Sequence, residues 1–155
     1  MPTNLDDASP RYRAVLQLLR TADTLWNASR VFFERWDLGP SQFNVLNLLY
    51  LNPEGLSQSD LSRYLIMHRS NLTGLVDRLE KRRWVARQDV AEDRRAYRVT
   101  LTAAGLKMIQ EILPGYYEST DRVLRHLSAK RARQLMDDLV RAAENVERIA
   151  AELPR

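Results

Sequence analysis

Cysteine is missing from all 155 residues. Its absence removes disulfides, thiolate nucleophiles and cysteine-ligated zinc, and it suits a reducing compartment. Histidine is nearly as scarce, with only His68 and His126 among the two present. No glycine-rich phosphate loop and no metal-spaced carboxylate cluster accompany them. No catalytic constellation can therefore be assembled, and neither a metal nor a cofactor is expected. Long apolar runs are absent too. None approaches the roughly 20 residues of a membrane helix, and the polar start Met1–Pro10 lacks the apolar centre of a signal peptide. The expectation is a soluble, cytoplasmic protein that is not an enzyme and does not contact a membrane.

What is present is ordinary for a globular chain: 45% hydrophobic and 28% charged residues, enough to build a core. The net charge of +4 gains meaning from its location. Residues 63–98 carry ten Lys/Arg against five Asp/Glu, so they are +5 while the other 119 residues sum to −1. A polyanion partner is one reading of so local a field. A solvated helix face laced with weak salt bridges is the other.

Along the chain, Ser9-Pro10 reads as the N-cap and first residue of a helix over about 11–35. Its apolar residues, from Tyr12 to Trp36, recur with a 3.6-residue period. Asp37-Leu38-Gly39-Pro40 stops it, with Gly as the terminator and Pro unable to continue. Ser41 is expected to cap a short helix through Leu51, and Asn52-Pro53-Glu54-Gly55 reads as a turn. A third helix starts at Ser57, favoured by Asp60 in its first turn, and ends near Leu65. After Ile66-Met67-His68 a fourth runs from Arg69 to about Arg82, with Leu72, Leu75, Val76 and Leu79 on its buried side. The period then falls to two. Trp84–Arg87 and Tyr97–Leu101 alternate as strands around the polar tip Asp89–Ala96. Thr102 caps a helix that meets Pro114-Gly115, is expected to kink there, and continues to about His126. Ser128 caps the last.

This order predicts a mainly α fold with a small β-hairpin wing. A winged helix-turn-helix over 39–102 would be flanked by helical segments 1–38 and 103–155. A major groove about 12 Å wide admits one helix, whose amino end meets base edges with short polar side chains. Ser70, Asn71 and Thr73 supply these, and Gly74 permits close backbone approach. Arg69 and Arg78 can reach phosphates or guanine edges. At the hairpin tip, Asp93-Arg94-Arg95 offers guanidinium groups to a narrow minor groove. An ordinary amphipathic surface helix and a plain polar turn are the competing readings.

Leu72-Thr73-Gly74-Leu75-Val76-Asp77-Arg78-Leu79-Glu80-Lys81, then Asp93-Arg94-Arg95-Ala96 and Val99-Thr100-Leu101-Thr102-Ala103-Ala104-Gly105, together resemble the MarR family of bacterial regulators. The resemblance extends over the whole architecture. It implies a dimeric winged-helix protein, usually a repressor, often released from DNA by a small aromatic or lipophilic ligand. It places Ser70, Asn71 and Thr73 in the groove-reading part of the recognition helix and makes Arg95 the wing arginine supported by Asp93. Two residues depart from the family pattern. Arg83 stands where Gly is common, and it could add a phosphate contact. His68 stands where a Ser or Thr cap is expected. Without cysteine, the thiol-oxidation sensing known in the family is excluded.

The terminal helices suggest a homodimer. A helix over 11–36 would be roughly 39 Å long, well beyond a winged domain with a radius of gyration near 10 Å. Its apolar stripe needs a partner, although an intramolecular three-helix cluster would also satisfy it. A dimer would set two recognition helices about 10 bp apart on double-stranded DNA with a pseudo-palindromic operator. Trp26, Arg30, Phe33, Trp36 and Tyr50 are candidate walls for an effector, or equally a core stripe. The rival function is a helical protein-interaction module without specific DNA binding.

Overall fold

The chain passes from helices into a sheet at Trp84, where the apolar period changes from 3.6 to two. A computed structural model describes residues 9–65, 69–90 and 93–153. In chain order the elements are α1 (Pro10–Phe33), a 3-10 turn (Glu34–Trp36), α2 (Pro40–Leu51), β1 (Leu56–Ser57), α3 (Gln58–Leu65) and α4 (Arg69–Lys81). They continue with β2 (Val85–Val90), β3 (Asp93–Leu101), α5 (Ala103–Val123) and α6 (Ala129–Glu152). This is the expected mainly helical fold with a small β wing. The strands form one antiparallel sheet in the order β1-β3-β2. Val99 of β3 pairs with Leu56 on one side and Arg87 on the other. Two compact units divide the chain, the first ending at Glu111 and the second beginning at Ile112.

In the first unit, Phe33 at the end of α1 stacks on Phe43 of α2, with ring centroids 4.4 Å apart. Around them Val45, Leu46 and Leu49 of α2, Leu61 of α3, and Leu72, Leu75, Val76 and Leu79 of α4 are buried. Val85 and Val99 complete this core from the sheet. Each such side chain contributes about 1.5–3 kcal/mol by leaving water. Gly55 joins α2 to β1 at φ 76°, where a Cβ would lie 2.6 Å from the Val99 carbonyl oxygen, so both conformation and space require glycine.

The exit of α1 differs from the sequence reading, whereas Arg83 takes the exit position of α4 where glycine is common. The left-handed residue after α1 is Asp37 at φ 49°, not Gly39. The turn closes early because Leu38 drops into the core, its N–H returning to the Phe33 carbonyl at 3.3 Å. Gly39 is extended and takes the N-cap of α2 in place of Ser41, with Pro40 at the first helical position. After α4, Arg83 adopts φ 59°. The Trp84 N–H reaches the Leu79 carbonyl at 3.0 Å and the Arg83 N–H reaches the Glu80 carbonyl at 2.8 Å. This is the paired closure that usually places glycine at the left-handed position.

Other boundaries shift modestly. β1 is too short to register as a period, and it exists because β3 offers a free edge to Leu56 and Ser57. The hairpin strands run into the stretch expected to be a polar tip, since ladder pairing does not need apolar alternation there. α5 runs unbroken through Pro114 and ends at Val123. In the second unit, Ile112 and Leu113 are buried, whereas α6 exposes Met136, Val140, Val146 and Ile149. Ser128 caps α6 as expected, its Oγ accepting from the Arg131 N–H at 3.3 Å. Among the described residues no helix is long and apolar enough to cross a membrane.

The left-handed arginine yields a direct test. Arg83→Gly removes a Cβ from a conformation that disfavours it and should raise stability by about 0.5–1 kcal/mol. A shift of the urea midpoint to higher concentration is the expected result, and a lower midpoint would show that the Arg83 side chain contributes more than its backbone costs.

Candidate nucleic-acid interface

Helical spacing divides α4 into three stripes. Leu72, Leu75, Val76 and Leu79 form the buried one. Asn71, Gly74, Arg78 and Lys81 form a second, in which Gly74 is half-buried and the others are exposed. A Cβ built on Gly74 would meet nothing closer than Arg78 Nη1 at 3.6 Å, so the protein itself does not require a glycine there. Thr73, Asp77 and Glu80 form the third stripe, and each is engaged by a side chain from another element.

The principal partner of that stripe is Arg87 on β2. Its guanidinium donates to Asp77 Oδ1 at 2.5 Å and, from the other nitrogen, to Glu80 Oε2. Glu80 Oε1 also accepts from the Arg87 backbone N–H at 3.3 Å. The guanidinium carbon lies 5.2 Å from the ring centre of Tyr97, its diagonal neighbour on β3. Burial would lower the pKa of Arg87, but hydrogen bonds with Asp77 and Tyr97 and the charge of Glu80 hold it above the ordinary arginine value. Arg87 therefore offsets half of the charge of two carboxylates on α4 that would otherwise repel a polyanion more strongly, and it fastens the hairpin to the helix.

A second arginine fixes the other end of α4. Arg82 donates to the Trp36 carbonyl at 3.1 Å and to the Asp37 carbonyl, and it lies 3.2 Å from the Asp37 carboxylate. Its guanidinium also sits 3.7 Å from the ring centre of Trp84. The exits of α1 and α4, each closed by an unusual left-handed residue, are thus joined through one side chain. Trp36 is held further by its indole N–H, which donates to Glu111 Oε1 at 2.8 Å.

Of the residues expected to read DNA, the structure brings Asn71, Thr73, Gly74 and Arg78 together on α4 and leaves Arg83 exposed at its exit. The backbones of Arg69 and Ser70 open α4, and those of Asp93, Arg94 and Arg95 open β3. Their side chains, and His68 entirely, lie outside the described residues. Of the candidate effector walls, Trp26 and Arg30 are exposed, Phe33 is buried in the core, and Trp36 is half-buried beneath the Arg35 guanidinium. Tyr50 lines an open groove of about 600 Å³ with Leu49, Leu51, Pro53, Leu101, Thr102, Ala103 and Leu106. No cluster of three potential metal ligands occurs among the described residues.

Sequence reasoning missed Gln58, Arg82, Arg87 and Tyr97 as parts of this site. The local charge count treats Arg82 and Arg87 as available cations, whereas both are paired internally. Gln58 and Tyr97 are uncharged and 39 positions apart, so no local pattern joins them. Arg87→Met keeps most of the packing volume but leaves Asp77 and Glu80 without their cation. It should cost about 1–3 kcal/mol in urea unfolding, and an unchanged midpoint would show that the ion pairs contribute no net stability.

Comparison with known proteins agrees with this geometry. The MarR family profile matches residues 36–96. The chain is 34% identical over 112 residues to the HTH-type transcriptional regulator PapX of Escherichia coli, covering 70% of this chain and 68% of that protein. It is 30% identical over 141 residues to the transcriptional activatory protein BadR of Rhodopseudomonas palustris, covering 88% and 80%. The backbone is similar to that of MepR from S. aureus in a crystal structure of its DNA complex, with a TM-score of 0.76 at 20% identity, over 90% of this chain and 99% of that one. The shared profile, the regulator relatives and the winged-helix backbone lead to one conclusion: the chain belongs to the MarR family of transcription regulators, which are not enzymes.

Proposed function

We propose that this protein is a homodimeric, sequence-specific DNA-binding regulator that works in the cytoplasm. Residues 39–102 would read DNA, and 1–38 with 103–155 would form the dimerisation region. The observation that carries the reading is the accessible stripe Asn71–Gly74–Arg78–Lys81, free of acidic residues and ending in two cations, while the carboxylates beside it are paired with Arg87. Asn71 suits a bidentate bond to an adenine edge, and Arg78 and Lys81 suit guanine edges or phosphates. Arg83 adds a cation at the helix exit, and Arg69, Ser70 and Thr73 fall at the end that faces bases. Asp93, Arg94 and Arg95 would make the minor-groove probe of the wing.

The dimer reading draws on the apolar side chains left exposed in the single chain. On α1 these include Tyr12, Val15, Leu19, Trp26 and Val31, and on α6 Met136, Val140, Val146 and Ile149. Each helix has 24 residues, about 36 Å of length. Apolar surface of that extent is rare on a soluble monomer. A twofold assembly on a pseudo-palindromic operator that overlaps a promoter excludes polymerase, so repression is the expected sign. The groove beside Tyr50 has a volume suited to a small aromatic or lipophilic effector, and Trp26 and Arg30 remain accessible to one.

The deciding experiment is fluorescence anisotropy on duplexes covering the DNA next to the protein's own gene, with a scrambled duplex as competitor. Wild type should prefer one native segment, with log Kd varying linearly with log salt. Asn71→Ala should cost about 1–3 kcal/mol on that segment and much less on scrambled DNA. Arg95→Ala should weaken binding without changing dimer mass or melting. Equal binding to all duplexes by wild type would leave a helical interaction module as the function.

Gly74→Ala separates stability from recognition. Alanine should stabilise α4 by up to about 1 kcal/mol, yet weaken operator binding because its methyl group occupies the surface offered to DNA. Should the variant be both more stable and equally tight, no DNA backbone or base approaches that position.

A further inference from the structure

A closed circuit of side chains joins four elements and returns to the helix where it starts. Thr73 on α4 accepts from Gln58 Nε2 at the start of α3. Gln58 Oε1 accepts from the Tyr97 hydroxyl on β3 at 2.7 Å. The Tyr97 ring faces the guanidinium of Arg87 on β2, centre to carbon 5.2 Å. Arg87 then bonds Asp77 at 2.5 Å, one helical turn beyond Thr73. Its ionic half resists distortion by charge, while its neutral half depends on the orientation of one amide group.

We infer that Tyr97 and Gln58 are positioning residues that set the side chain of Thr73 and the angle of the wing together, and so determine how selectively α4 reads DNA. The chemistry gives the circuit a direction. A primary amide has a donor end and an acceptor end of nearly equal shape. The Tyr97 hydroxyl donates to Oε1, which leaves Nε2 facing Thr73, and the nearby Arg87 cation disfavours the reverse arrangement, in which the Tyr97 oxygen would accept from Nε2. Without that hydroxyl the amide can turn over and present its carbonyl oxygen to Thr73, and the constraint on the side chain weakens. None of these atoms needs to touch a base for the effect to appear in specificity, because base contacts fail at displacements well under an ångström. The inference rests on the DNA-reading role proposed for α4.

The test uses Tyr97→Phe, Gln58→Ala and the double variant in the full-length protein. Tyr97→Phe keeps the ring beneath Arg87 and removes the hydroxyl, with its bonds to both Gln58 and Arg87. The ratio of operator to scrambled-duplex affinity should fall about three- to tenfold in each single variant, the effect of a circuit opened at one link. The double variant should be no worse than Tyr97→Phe alone, since the link through Gln58 is already broken there. The salt slope should stay as in wild type, because no phosphate contact is removed. A wild-type ratio in Tyr97→Phe, or effects that multiply in the double variant, would overturn the inference. Amide hydrogen exchange on the free protein decides it even if no duplex binds, an outcome that would defeat the DNA-reading role alone. Tyr97→Phe should speed exchange over residues 72–76 and 97–99 while α6 is unchanged, and unaltered exchange over 72–76 would sink the circuit as a positioning device.

Discussion

The first unit depends on how α4 ends. Arg83 in the left-handed region turns the chain within two residues, the Trp84 N–H closes on the Leu79 carbonyl, and Val85 enters the sheet already buried. That turn fixes the direction of β2 relative to α4. Because strand side chains alternate, Arg87 then falls on the face where Asp77 and Glu80 wait one helical turn apart. Had the helix ended a residue later, the alternation would have sent Arg87 to the opposite face. Arg82 secures the closure by bonding carbonyls at the exit of α1 and stacking on Trp84.

Electrostatics follow from the same geometry. The basic segment contains cations of two kinds. Arg82 and Arg87 are held by carbonyls and carboxylates and serve the fold. Arg78, Lys81 and Arg83 are exposed. An ion pair near the surface contributes little by itself, but the bonds of Arg87 enclose a helix, a hairpin and an aromatic ring, so its loss affects all three. The acidic residues of α4 oppose a polyanion less than their number suggests, because Arg87 is paired with both of them.

The terminal helices follow a different constraint. α1 and α6 are well-formed single helices with good caps, yet the single chain leaves their apolar residues in water. Propensity and capping are enough to define such a helix, while its stability in isolation is marginal without a covered face. The winged-helix segment carries its own core, to which α1 contributes Phe33 at its end, whereas α6 has no buried residue.

Much of this protein was legible from local pattern. The 3.6-residue periods, the change to alternation at Trp84, the caps at Ser9, Thr102 and Ser128, and the buried stripe of α4 are all consequences of spacing along one segment. So is the exposure of Asn71 and Arg78, since burying Leu72, Leu75, Val76 and Leu79 leaves them no other face. The tertiary structure alone decided which charges are available, where the helices exit, and how the wing is attached. Asp37 rather than Gly39 takes the left-handed turn because Leu38 has a core to enter. Thr73, read as a base contact from its position, is also bound by Gln58. Arg87 is indistinguishable from Arg78 in sequence, and only the packing of a strand against a helix makes one structural and leaves the other open to solvent. Short-range order follows from propensity and period, whereas pairing between side chains far apart in the chain exists only once the core has brought their elements together.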